Sequence, residues 1–261
     1  MGSLGAVLNR PLPMTGPYRA PDEAEQARAD ELARGLLDGP DPGRAAALGF
    51  TTTTVAGRTL LEADPATERS WGVVVLPRGP AEVLVEVPHP QSDLRTEQIG
   101  LALLERLDGA LLLQAGAHRR AGAADGAFPA DVAHRPDSVF ARLAAGLVAA
   151  HGLPQVQVHG CADRPGFDVV ASSGAAAGSE LLEAIVAGLR DAGERVRLGG
   201  DPGCEDLSGR RNVQGRTAAR LGTVFVHLEL SRSVRRSPHR REQVADAVAG
   251  AVRAATYHRP P

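Results

Sequence analysis

The run A-L-L-L-Q-A at Ala110–Ala115 is nearly continuous in apolar residues and follows an Asp-Gly turn. Side chains on a strand alternate between faces, so a run this uniform is a strand buried on both sides. Helices must then cover both faces of its sheet. The chain around it supplies them. Strands are expected at Val83–Val87, Gln155–Val158, Val169–Ala171, Arg195–Leu198 and Thr223–Leu230. Between them lie helical stripes: Ile99, Leu103 and Leu107 behind a Thr96 N-cap, then Phe140, Leu143 and Leu147 behind Ser138. Leu182, Ile185, Val186 and Leu189 mark a helix over Glu180–Ala192, and Val244, Val248 and Val252 one from about Arg240. Strand and helix alternating in this way give an α/β fold of three layers, a mixed and mainly parallel sheet with helices on both faces.

The first 80 residues are patterned differently. Residues 1–21 are rich in Pro and Gly and read as a flexible tail. Asp22 to about Leu37 reads as a helix stopped by Gly39-Pro40, and Phe50–Val75 as a hairpin. Trp71 reads as a core or edge filler. Residues 22–261 are expected to make a single α/β domain, with the helix and hairpin occupying 22–80.

Composition removes several functions. A net charge of −2 gives no bulk attraction to nucleic acid or to an anionic membrane. All 29 basic residues are arginine, which removes Schiff-base and P-loop lysine chemistry and leaves forked guanidinium bonds for substrate anions. Two cysteines make neither a disulfide framework nor a four-thiolate metal site. No window reaches the ~20 apolar residues of a membrane span, and M-G-S-L-G-A-V-L lacks the charged start and long apolar run of a signal peptide. A cytoplasmic location is expected, with a small-molecule or peptide-like substrate as partner.

The polar residues at strand ends carry the chemistry. His89 follows the first strand of the α/β region, His159-Gly160 ends another, and Glu229 lies within V-F-V-H-L-E-L. Groups at the carboxyl ends of strands in an open sheet converge on one crevice. Asp93 either folds back towards a metal at His89 or caps the next helix. His159 is either a ligand or a core histidine. Glu229 is costly in an apolar strand unless paired or facing a cavity; the choices are a general base or an ion pair with Arg232. His227 shares its face. G-R-R-N-V-Q-G-R places Asn212 and Arg216 in one loop, Arg235 follows Glu229, and His118, Arg119, Asp131 and His134 come from the segment after Ala115. Each is a candidate ligand, substrate contact or surface group. Cys161 lacks an orienting third group for nucleophilic work, and S-S-G-A-A-A-G-S lacks the spacing of a phosphate loop.

In order, these features are His89, Asp93 and Thr96-Glu97-Gln98-Ile99, then His159-Gly160, then Asn212 to Arg216, then Leu228-Glu229-Leu230-Ser231 and Arg235. The order resembles the phage and bacterial poly-γ-glutamate hydrolases. More distantly it resembles the N-formylglutamate amidohydrolases and zinc carboxypeptidases that share their fold. The likeness spans roughly residues 83 to 255. It implies a zinc exopeptidase-like fold and one zinc ion per chain held by His89, Asp93 and His159. It implies Glu229 as catalytic base and Arg216 or Arg235 on a substrate carboxylate; Asn212, and Arg119 from the residues alone, are taken as further substrate contacts. The loop after His89 departs from the pattern: Pro-Gln-Ser replaces a Gly-rich stretch, the acid stands one residue nearer, and Glu97 is the alternative acidic ligand. The implied activity is metal-dependent hydrolysis of an amide bond in a small carboxylate-bearing or γ-glutamyl-like substrate. The other reading is a catalytically silent relative that binds a ligand or partner.

Overall fold

Nine strands form one sheet in the computed structural model, which describes residues 3–257. In chain order they are β1 (Phe50–Val55), β2 (Arg58–Ala63), β3 (Val73–Val75), β4 (Val83–Val87), β5 (Ala110–Gln114), β6 (Gln155–Gly160), β7 (Val169–Ser172), β8 (Val196–Leu198) and β9 (Phe225–Leu230). Their order across the sheet is β1-β2-β3-β5-β4-β6-β9-β7-β8. The middle four, β5-β4-β6-β9, are parallel. The flanks are not: β3 runs antiparallel to β5, and β7 antiparallel to β9. The sheet is therefore mixed and parallel at its centre.

The helices are α1 (Leu4–Leu8), α2 (Glu23–Gly35), α3 (Pro42–Ala47), α4 (Thr96–Arg106), α5 (Val139–His151), α6 (Glu180–Asp191), α7 (Val213–Leu221), α8 (Arg232–Arg236) and α9 (Pro238–Tyr257). Strand alternation divides the core in two. Val83, Val85 and Leu112 point to the side covered by α4, α6 and α9, while Leu84, Leu111 and Leu113 point to the side of α2 and α5. Each such fully buried aliphatic side chain contributes roughly 1.5–3 kcal/mol. This double burial is why β5 reads as an apolar run.

Several expectations need correction. Part of the N-terminal stretch read as loose is packed. Leu4 and Leu8 of α1 are buried, and the Leu8 carbonyl accepts from Gln114 Nε2 at 2.8 Å; residues 1 and 2 of that stretch lie outside the described residues. Thr96 does not cap α4. The N-cap is Arg95, in a left-handed conformation and with no side-chain cap bond, while Thr96 is the first helical residue. Asn212 and Arg216 do not share a loop, because α7 begins directly after Asn212 and contains Arg216. Trp71 is a core residue, its Nε1 donating to the Arg19 carbonyl at 3.0 Å between the guanidinium groups of Arg19 and Arg69.

Arg58 is the least expected core member. Its buried guanidinium donates to five backbone carbonyls, those of Leu76, Leu104, Leu107, Asp108 and Ala110. The last carbonyls of a helix have no partners within it, and a cation there also suits the helix dipole. Arg58 thereby ties the hairpin to the end of α4. Among the described residues, no helix is long and apolar enough to cross a membrane.

Candidate metal centre

β4, β6 and β9 are parallel neighbours, so their carboxyl ends lie along one edge. Register aligns the polar residues in rows: Glu86 stands opposite Gln157, Gln157 opposite His227, and His159 opposite Glu229. Period-two alternation puts the pairs Gln157/His159 and His227/Glu229 on the same face. His89 joins them from just beyond β4, its ring edge-on to His159 with centroids 4.8 Å apart.

The turn after β4 brings Asp93 back. Its amide donates to the His89 carbonyl at 2.9 Å, and Gly160 N donates to its Oδ2 at 3.1 Å. Two non-glycine residues of the turn, Gln91 and Arg95, hold φ of +62° and +73°. Conformations of that kind cost on the order of 1–3 kcal/mol each and persist only where the surroundings impose them. Here Glu97 does so. Its carboxylate accepts from Gln91 Nε2 at 3.0 Å and from the amides of Arg95 and Gln91 at 3.2 and 3.4 Å. Glu97, the alternative acid, is thus spent on the loop.

Asp93 Oδ2 lies 3.3 Å from His89 Nδ1 and 3.3 Å from His159 Nδ1. Zinc binds nitrogen and oxygen at about 2.0–2.2 Å, so tetrahedral ligand atoms stand about 3.3–3.5 Å apart. Both edges from Asp93 match that spacing. On its other side His89 Nε2 is 2.7 Å from Asp131 Oδ1. A carboxylate only accepts, so Nε2 carries a hydrogen, and in the neutral ring Nδ1 is left with a lone pair. That Nδ1 is buried and has no hydrogen-bond partner. A lone pair facing a carboxylate is an arrangement that a cation satisfies, and the three residues fit a zinc ion.

The electrostatics follow from burial and these contacts. Burial would raise the Asp93 carboxyl, but the His159 and His89 rings against it hold it well below the usual carboxylate range. Burial would lower His89; the carboxylates of Asp131 and Asp93 outweigh it and raise the ring. Burial brings His159 down to about 4 and His227 well below its ordinary value. Glu229 is pushed up to about 8, first by burial and then by the charge of Asp93. Its Oε2 is buried without a partner, while Oε1 lies 3.7 Å from His227 Nε2.

A cavity of about 430 Å³ opens over this face. Its lining includes His89, His159, His227 and Glu229 from the sheet edge, with Arg119 and His134 and, from the segment before α7, Arg210, Arg211 and Asn212. Gly209 lines it too, with φ +63°, and a Cβ there would sit 2.7 Å from the His227 ring, so only glycine lets this loop close down.

Of the residues singled out in the sequence, His89, Asp93, His159, Glu229, Arg119 and Asn212 come together here. Arg216 does not: it is exposed on α7, away from the cavity. Arg235 does not either. It is buried, and its Nε, Nη1 and Nη2 donate to the carbonyls of Leu230, Leu94 and Cys161 at 2.9, 2.8 and 2.7 Å, so its fork is filled by backbone rather than free for a substrate. His118 turns into its own loop, Nδ1 accepting from Arg120 N at 3.2 Å. His134 packs on Asp131, its Nδ1 3.1 Å from Oδ1. Asp131, one of the candidates after Ala115, joins the site through His89, and its Oδ2 also accepts from Arg119 Nη2 at 2.7 Å; the residues overlooked are the cavity arginines Arg210 and Arg211. Arg210 and Arg211 stand in the same G-R-R-N string as Asn212.

No family model matches the chain, and no curated protein does. Solved structures do. The N-formylglutamate amidohydrolase of Ralstonia eutropha JMP134 is 15% identical, with 72% of this chain and 98% of that one covered at a TM-score of 0.50. A bacteriophage poly-γ-glutamate hydrolase is 19% identical, covering 72% and 90% at 0.49. A putative carboxypeptidase A of Shewanella denitrificans OS-217 is 16% identical, covering 93% and 70% at 0.48. The likeness to the amidohydrolase shows a common fold: a mixed sheet, parallel at its centre, with helices on both faces.

Proposed function

We propose that this protein is a metal-dependent hydrolase that cleaves an amide bond in a small carboxylate-bearing substrate. The observation behind this reading is the convergence of His89 Nδ1, Asp93 Oδ2 and His159 Nδ1, with edges of 3.3 Å from the carboxylate, on the floor of a cavity that also holds Glu229. The three residues would hold one zinc ion. Bound there, zinc supplies Lewis-acid polarisation of a carbonyl and a lowered pKa of water.

The polypeptide does the rest. Glu229 Oε2 faces no internal donor, so it is available to take the proton of the attacking water and pass it to the departing amine nitrogen. A nearby cation favours its charged form, offsetting the burial that raises it towards 8. Arg119 is committed to Asp131, whereas Arg210 and Arg211 line the cavity without an ion-pair partner among the described residues. One of these two anchors the substrate carboxylate. Asn212 is held by Gln157 and shapes the wall between them.

The test is metal content followed by activity. Purified protein should bind about one zinc per chain, and His89→Ala and His159→Ala should abolish that binding. Glu229→Gln should keep zinc and lose about 10²–10⁴-fold in hydrolysis of N-acyl amino acids or γ-glutamyl peptides. Metal-free wild-type protein, or full activity in Glu229→Gln, ends this reading.

A further inference from the structure

His159 is oriented by a different device from the one that holds His89. A carboxylate receives the His89 N–H, which leaves no doubt about the donor. His159 Nε2 instead faces a side-chain amide, Gln157 Oε1, at 3.0 Å. An amide can be turned round. Its NH₂ would then meet Nε2, the ring hydrogen would move to Nδ1, and the lone pair facing Asp93 would be lost.

What prevents the turn lies two links away. Gln214 Nε2 donates to the backbone carbonyl of Val132 at 3.1 Å, a group that can only accept. Gln214 therefore presents Oε1 to Gln157, whose Nε2 donates to it at 3.2 Å. The same nitrogen gives its second hydrogen to Glu86 Oε2 at 2.8 Å. Gln157 is thus fixed with its oxygen towards His159. Asn212 Nδ2 adds a donor to that oxygen at 2.6 Å; its 3.3 Å approach to His159 Nε2 is the longer contact, which leaves Gln157 Oε1 as the nearer partner of that nitrogen. Glu86, Gln157, His159, Asn212 and Gln214 are all buried, so water does not compete for these bonds.

We infer that Gln214 and Gln157 form an amide relay that holds His159 as the Nε2–H tautomer and directs its Nδ1 lone pair at Asp93. Both are positioning residues of the candidate metal centre, and the inference rests on the metal reading proposed above. The relay also couples the two histidines. Adjacent residues of one segment orient them, Asp131 through its side chain for His89 and Val132 through its carbonyl for His159.

The experiment is imidazole nitrogen NMR on the intact zinc-free protein, paired with zinc affinity from competition with a chromophoric chelator. Wild-type His159 is expected as Nε2–H. Gln157→Leu should give a mixture of tautomers and about 10–100-fold weaker zinc binding, the range for loss of a partner that orients a ligand. Gln214→Leu, which touches neither His159 nor the metal, should move both readouts in the same direction by less, and it serves if Gln157→Leu does not fold. Gln157→Glu keeps an acceptor towards Nε2, with a proton shared with Glu86, and should restore the tautomer. An Nδ1–H tautomer in the wild type, or an unchanged tautomer in both leucine variants, overturns the relay. Wild-type protein that shows Nε2–H yet takes up no zinc supports the relay and overturns the metal reading, so the two fail separately.

Discussion

Replacing Asp131 with asparagine changes one atom and removes one charge, yet it strikes the site where donors outnumber acceptors. The carboxylate accepts His89 Nε2–H at 2.7 Å on Oδ1 and Arg119 Nη2 at 2.7 Å on Oδ2, with His134 Nδ1 3.1 Å from Oδ1. Asparagine offers one oxygen and one NH₂. If the oxygen stays with His89, the NH₂ opposes Arg119, donor against donor, and the arginine is released. If the oxygen turns to the charged guanidinium, the stronger donor, the NH₂ meets His89 Nε2 and the ring hydrogen moves to Nδ1. That second outcome blocks the lone pair at its source. Loss of such a partner costs about 10–100-fold in metal affinity, or about 1.4–2.8 kcal/mol at 1.4 kcal/mol per tenfold. Competition titration against a chelator at pH 7.5 measures it, with circular dichroism and urea unfolding as controls for fold. A folded Asp131→Asn protein whose zinc affinity stays within threefold of wild type would refute the assignment of His89 Nδ1 as a ligand atom set by Asp131.

Other perturbations reach the scaffold. Arg58→Met should strand five backbone carbonyls and lower unfolding free energy by about 3–5 kcal/mol, read as a shift in urea midpoint; a loss under 1 kcal/mol would mean water replaces the guanidinium. Glu25 accepts from Arg19 through two bonds of 2.7 Å and pairs with Arg69, and these hold its carboxyl down at about 2 against an ordinary 4.5. A depressed folded-state pKa stabilises above pH 4.5 and loses that contribution as pH falls towards 2. After screening at the half-exposed arginines the amount is about 1–2 kcal/mol, and Glu25→Gln should flatten stability across that window; an unchanged slope contradicts the pairing. Gly160→Ala would place Cβ 2.3 Å from Arg235 Nε and should cost about 1–3 kcal/mol while loosening zinc, checked by unfolding and chelator competition together.

How far the site was readable from sequence depends on how each residue reaches it. His89, His159 and Glu229 stand on or beside strands whose apolar runs are unmistakable, so the convergence of strand ends located them. Asp131 comes from an irregular segment 42 residues after His89, with no period to place it. Arg216 was misplaced because V-Q-G-R-T-A-A-R-L reads as a loop, with a glycine in its first turn, yet forms α7. Gly215 is tolerated there because a Cβ would come within 2.8 Å of the Phe225 ring. Arg235 looked free because sequence shows its charge and not the three carbonyls that curl around it. The N-terminal segment is rich in turn formers, and its start is ordered by Leu4 and Leu8 docking by α4 and by the Gln114 bond to the Leu8 carbonyl.

Arg235 has a wider meaning than a lost substrate contact. Its three acceptors belong to the end of β9, the residue after β6, and the turn that follows β4. Those are the segments that carry Glu229, His159 and Asp93. One side chain therefore gauges the separation between the proposed proton acceptor and the two proposed ligand-bearing segments, as a single rivet sets the opening of three plates. The three segments are thus held to one another rather than singly, and loss of the Arg235 guanidinium would release those of Glu229, His159 and Asp93 together.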